Sequence, residues 1–185
     1  NSAVVTPLPG RQIRFAAAGN AWTVAPTERY NYQLLAAAGG FQFADPQEQR
    51  IYTFSAAGQL TKIEDRNGNA LTLTQSANGP ASISDGLGRS ITFTYDSTGH
   101  LSRAKDQAGR TVQYFYTGQD LTFVKNVLGQ NILYKYATGG PDSLLEAKTY
   151  PDGNVANTQH YDATGKIVSQ TSDSGKPNTF TYAPG

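Results

Sequence analysis

The sequence predicts an all-β protein built from tandem antiparallel β-hairpin repeats joined in one long sheet, with little or no helix. Three observations carry this. Aromatic residues close strand-like segments at Tyr95, Tyr116, Tyr136, Tyr161 and Tyr182, at separations of 21, 20, 25 and 21 residues. Glycines recur at 58, 68, 79, 88, 99, 109, 129, 153, 165 and 175, so most intervals lie close to ten. Ahead of each aromatic the side chains alternate with period two, the signature of a strand.

The strands follow from that alternation. Ile91, Phe93 and Tyr95 share one face, and Ser90, Thr92 and Thr94 share the other. Val112, Tyr114 and Tyr116 repeat the pattern, then Ile132, Tyr134 and Tyr136, while Phe180 and Tyr182 keep only its last two positions. Equivalent aromatics are expected to stack across neighbouring strands. Phe54 and the neighbourhood of Thr74 extend the series toward the amino terminus.

The turns come next. Glycine adopts positive φ without a Cβ penalty, and Asp or Asn ahead of it closes a turn through its own side chain. Tyr95-Asp96-Ser97-Thr98-Gly99 and Tyr161-Asp162-Ala163-Thr164-Gly165 therefore read as a strand end followed by a tight turn. An aliphatic residue opens the next strand at Leu60, Leu101, Leu121 and Ile167, and the rest of that strand is mixed, so one of its faces meets solvent. Short turns require antiparallel neighbours, because parallel strands need long crossovers. No segment carries a capped stripe of period 3.6.

Residues 51–185 hold about six such units. Residues 1–50 fit the period less well and read as a degenerate β region, with strands at Arg11–Phe15 and Ala21–Val24. The one long spacing is assigned to an insertion at 137–142, expected as an extended surface loop, and to the turn Tyr150-Pro151-Asp152-Gly153.

Composition narrows the function classes. Fifteen Lys and Arg against fourteen Asp and Glu give a net charge of +1 without runs of either sign, which makes no case for nucleic acid or an anionic membrane. Cys and Met are absent, so disulfides and thiolate chemistry are excluded. The first ten residues lack a signal-peptide pattern, and no run approaches the roughly 18 apolar residues of a membrane-spanning helix. The chain begins without Met and stops just after an aromatic strand pattern, so a piece of a longer chain is expected.

No catalytic, cofactor or metal constellation stands out, and no enzyme activity is expected. His100 and His160 are the two histidines, both beside turns or anchors, and no Gly-x-Ser-x-Gly setting accompanies them. Glu64 and Asp65 are neighbours on a strand and point to opposite faces. Asp65-x-Asn67-Gly68-Asn69 lacks the distal Glu of a calcium loop. Gly86-Leu87-Gly88-Arg89 lacks the third glycine and following helix of a dinucleotide site, and Gly165-Lys166 and Gly175-Lys176 lack the Ser or Thr of a phosphate loop. A binding module that stacks exposed Tyr rings or Trp22 on sugar faces is the alternative function.

The repeat resembles the Rhs/YD-repeat family, whose unit runs as a Tyr-Asp-x-x-Gly turn, Leu, a variable strand, Asp-x-x-Gly-Arg and an aromatic strand returning to Tyr. The fullest copy runs from Tyr95, Asp96 and Gly99 through Leu101, then Asp106, Gly109 and Arg110, to Tyr116; Tyr136, Tyr161, Asp162, Gly165 and Tyr182 hold equivalent positions. Asp85-Gly86-Leu87-Gly88-Arg89 copies the second half, and Asn69 stands where Arg is common. Thr117 and Ala137 replace the Asp after the anchor, and Asn126-Val127-Leu128-Gly129-Gln130 departs from Asp-x-x-Gly-Arg, so those turns are expected to be less regular. The resemblance implies a long sheet curled into a piece of spiral β-shell, secreted or at the cell surface. Its partners would be further repeats and a C-terminal toxin or effector outside this chain, with edge strands open to self-association. No counterpart of the family's Asp-rich self-cleavage motif is found in the sequence.

Overall fold

The computed structural model describes residues 2–8, 11–19, 21–26, 28–138, 143–172 and 175–183. Among them are eighteen strands and no helix. The chain divides into two units, residues 1–92 and 93–185.

In the first unit, β1 (Ser2–Leu8), β2 (Arg11–Ala18) and β3 (Ala21–Val24) make a three-stranded antiparallel sheet. The large sheet begins with β4 (Gln33–Ala37), β5 (Gly40–Asp45) and β6 (Arg50–Ser55). It continues through β7 (Leu60–Asp65), β8 (Ala70–Ser76), β9 (Gly79–Ser84) and β10 (Ser90–Tyr95). The second unit supplies β11 (Leu101–Asp106), β12 (Thr111–Thr117), β13 (Asp120–Lys125) and β14 (Asn131–Tyr136). Last come β15 (Leu145–Thr149), β16 (Val155–Tyr161), β17 (Ile167–Ser172) and β18 (Pro177–Thr179). The fifteen strands β4 to β18 follow one another in chain order, the antiparallel meander that short turns dictate.

Burial is uneven. Ile13, Phe15, Tyr32, Leu34 and Phe43 form a closed core between the small sheet and the first strands of the large one, with Trp22, Tyr52 and Phe54 packed around it. Phe43 meets Phe15 edge-on at 6.2 Å and lies against Tyr32 at 5.7 Å and Tyr52 at 5.8 Å. Beyond this core Leu73 is the one further buried hydrophobic residue among the described residues, and in the second unit every described hydrophobic side chain is half-buried or exposed.

Five hairpins carry a β-bulge just after the anchor position. Phe54, Gln75, Tyr116, Tyr136 and Tyr161 pair with Leu60, Pro80, Leu121, Leu145 and Ile167, and the next residue on the second strand, Thr61, Ala81, Thr122, Glu146 or Val168, is skipped by the ladder. A bulge leaves a carbonyl without its ladder partner. Hydroxyls fill that gap: Thr61 and Thr122 donate to the carbonyls of Thr53 and Phe115 at 3.1 and 3.0 Å, and Ser102 makes the corresponding bond to the Thr94 carbonyl at 3.0 Å.

The irregular spacings have structural causes. Leu101 follows Tyr95 by six residues across a five-residue turn, whereas Leu121 follows Tyr116 by five, because Thr117 pairs directly with Asp120 across Gly118 and Gln119. Gly118 has φ 60°, the positive value such a two-residue turn requires. The long spacing combines nine residues from Tyr136 to Leu145 with sixteen from Leu145 to Tyr161. Most of the insertion, residues 139–142, lies outside the described residues.

Two expectations need correction. Tyr116, Tyr136 and Tyr161 do not stack on one another, because each repeat contributes two strands and the intervening strand sets another residue beside the aromatic one, as Val124 stands beside Tyr114. The turn at Asn126 is as regular as its Asp counterparts, since an Asn side-chain oxygen accepts the same bonds.

Candidate functional site

The chemistry of this chain lies in two devices copied along the ladder. The first is the anchor. The Tyr116 hydroxyl donates to the Leu101 carbonyl at 3.2 Å, Tyr136 to Leu121 at 3.1 Å, Tyr161 to Leu145 at 2.6 Å and Tyr182 to Ile167 at 2.9 Å. Each bond ties the end of an aromatic strand to the opening aliphatic residue of its own repeat, 15 or 16 positions earlier. Burial raises the hydroxyl pKa of Tyr116 and Tyr136, so both remain donors across the physiological range.

Gln75 performs the same task without a ring. Its amide donates to the Leu60 carbonyl, 15 residues back. The sequence signal was its place in the period, 21 residues after Phe54 and 20 before Tyr95; the residue type concealed it. Tyr136→Phe deletes one anchor bond and leaves the ring in place, so unfolding in urea should show a loss of about 1 kcal/mol. Tyr134→Phe, a half-buried ring on the same strand, should change stability by less than about 0.5 kcal/mol.

The second device is the five-residue turn. At Asp65, Asp96, Asp106, Asn126 and Asp162 the first residue donates its N–H to the carbonyl of the fifth at 2.9–3.0 Å. The glycine in fourth place donates back to the first carbonyl at 2.9–3.2 Å. Gly99, Gly109 and Gly165 have φ of 88°, 86° and 83°, which is why glycine stands there. The leading carboxylate closes the loop: Asp106 accepts Arg110 N at 2.9 Å and Arg110 Nε at 2.6 Å. Arg89 does the same for Asp85, and the Asn69 amide replaces Arg at Asp65.

These bonds hold several carboxyls below the usual carboxylate range. For Asp65, Asp96, Asp106 and Asp162 the main cause is the side-chain donor from Asn69, Thr98, Arg110 and Thr164 respectively, and for Asp85 it is the Leu87 amide. A carboxyl whose folded pKa is depressed contributes stability above its unfolded pKa of about 3.9 and loses it as pH falls through the lower folded value. Thermal scans should therefore show little change from these groups between about pH 7 and 5 and a progressive loss below about pH 4. Asp106→Asn should flatten that acid limb.

His100 joins two turns. Its ring stacks on Tyr116 at 4.6 Å, Nδ1 lies 2.9 Å from Thr98 Oγ1 and 3.4 Å from Asp96 Oδ2, and Nε2 lies 2.8 Å from Gln119 Oε1. Both ring nitrogens are thus engaged within the turn pair rather than turned toward a nucleophile. His160 stands opposite Ser169 in the β16–β17 ladder, well away in sequence from the His100 cluster. Glu64 pairs with Lys62, while Asp65 is committed to its turn. Among the described residues no cluster of three His, Asp or Glu could hold a metal ion. No protein-family model and no curated protein matches the chain.

Proposed function

We propose that this chain is a structural repeat scaffold, a length of Rhs/YD-type shell wall that encloses or presents a C-terminal toxin or effector lying outside it, secreted or at the cell surface. The observation that carries the reading is the anchor bond recurring at the same 15- or 16-residue reach in successive units. A hairpin of this kind buries too little on its own to be stable, and a neighbour on each side supplies what it lacks. The half-buried aromatics of the second unit fit a wall whose role is to continue rather than to close.

The sugar-binding alternative gains no such support. Trp22 packs against the amino-terminal core, and the exposed rings of Tyr150 and Tyr182 are overlain by Lys148 and Lys166 at 4.6 and 5.1 Å. Electron cryomicroscopy of the full-length gene product tests the scaffold reading. It predicts these strands in a wall around or beside a C-terminal domain; a gene product with no domain beyond the ladder, or one standing free of it, would overturn it.

A further inference from the structure

The two faces of the sheet in the second unit differ in chemistry. Directly paired residues share a face, so the registers align Arg103, Gln113, Lys125 and Asn131 in one row across β11–β14. Phe115, Phe123 and Leu133 form the next row across β12–β14. Two residues along a strand separate the rows by about 7 Å. This face is open: Arg103, Lys105, Lys125 and Lys135 are exposed, as are Phe115 at 36% and Leu133 at 48%. The opposite face carries the half-buried Tyr114, Tyr116, Tyr134 and Tyr136.

The described carboxylates of β11–β15 are engaged by other groups. Asp96, Asp106 and Asp162 are tied into turns, Asp120 at the start of β13 accepts from Ser143 at 2.5 Å, and Glu146 pairs with Lys135 at 2.6 Å. Among the described residues neither Arg103 nor Lys125 has a carboxylate partner. A chain of nearly balanced charge therefore presents a cationic row beside an apolar one.

We infer that this face of β11–β14 is a docking surface for an acidic, amphipathic segment of polypeptide. Carboxylates of the partner meet Arg103 and Lys125, and its large apolar side chains cover the row Phe115, Phe123, Leu133. A single-stranded nucleic acid fits less well. It needs open ring faces and a cationic track, whereas the two Phe rings are stacked on each other at 4.1 Å and 11° and the row is completed by an aliphatic residue. The inference does not depend on the scaffold reading.

The test is fluorescence anisotropy on the full chain with three labelled probes: a synthetic peptide alternating Leu and Glu, its Leu and Lys counterpart, and oligothymidylate. The Leu/Glu peptide should bind, and its affinity should fall at least about tenfold when salt rises from about 50 to about 500 mM. The double reversal Arg103→Glu, Lys125→Glu should weaken it about tenfold or more, and Leu133→Ser should weaken it without altering the salt dependence. These side chains are exposed, so circular dichroism should be unchanged. Failure of the Leu/Glu peptide to bind, equal binding of the Leu/Lys peptide, tighter binding of oligothymidylate, or unchanged binding by the folded double reversal would each overturn the inference.

Discussion

Phe43→Ala should destabilise the first unit by about 3–5 kcal/mol, the cost of emptying a fully buried aromatic site. Phe43 is 0% exposed and packs on Phe15 of the small sheet, on Tyr52 of the large sheet and on Tyr32 just ahead of β4. The void cannot collapse easily, because Ile13 and Phe15 belong to β2 and are held in register by β1 and β3. Chemical denaturation followed by Trp22 fluorescence reports on this unit, since Trp22 packs on the same cluster. The equivalent truncation of an aromatic in the second unit, such as Phe115→Ala, should cost less than about half as much, because Phe115 is already 36% exposed.

Gly40→Ala should be nearly as damaging, with a loss of at least about 3 kcal/mol, at the top of the range for overpacked sites. A Cβ at this position would lie 1.9 Å from the Phe54 carbonyl oxygen and 2.7 Å from the Ser55 carbonyl carbon. Both are backbone atoms of β6, paired with β5 through Gly40↔Ser55 and Phe41↔Phe54, so relief requires moving a strand rather than a side chain. For a domain of this size each kcal/mol shifts the melting temperature by about 2–4 °C, so a fall of roughly 6–12 °C is expected in a thermal scan. Gly109→Ala provides the contrast. Its Cβ would meet nothing within 4 Å, and only the φ of 86° opposes it, so the loss should be about 1–2 kcal/mol.

Much of this architecture was legible in the sequence, for identifiable reasons. The strands ending at Tyr95, Tyr116 and Tyr136 could be read because β-branched and aromatic residues alternate with polar ones on a single-layer sheet, where one face is wetter than the other. The Asp-led turns could be read because glycine takes a positive φ at little cost and Asp or Asn serves as a local acceptor there. The amino-terminal strands were less so. β4 carries Leu34-Leu35 and a run of alanine in place of clean alternation, and β1 offers only a short Val pair. Their pairing is fixed by the shared core of Ile13, Phe15 and Phe43, a tertiary cause that period alone does not express.

The anchor bonds were hidden for a different reason. The tyrosines were visible, but the acceptor of each is a main-chain carbonyl 15 or 16 residues away, brought within reach only by the hairpin and its bulge. Gln75 shows the same limit, since no residue-type pattern marks an amide as the equivalent of a phenol. The hydroxyl-to-carbonyl bonds of Thr61, Ser102 and Thr122 explain why a Thr or Ser follows the opening Leu in those copies. The cationic row of the second unit was concealed by a net charge near zero.

One hydrogen-bonded hairpin is copied along the chain, and residue-resolved amide hydrogen exchange by NMR tests that copying most directly. The amides of Asp65, Asp96, Asp106, Asn126 and Asp162 donate across their turns at 2.9–3.0 Å. They should exchange far more slowly than the turn-tip amides of Arg66, Ser97, Gln107, Val127 and Ala163, and the protection should recur with the period of the turns. Exchange of the turn-opening amides at the rate of an unstructured peptide, or protection confined to one or two copies, would contradict a hairpin copied along the chain.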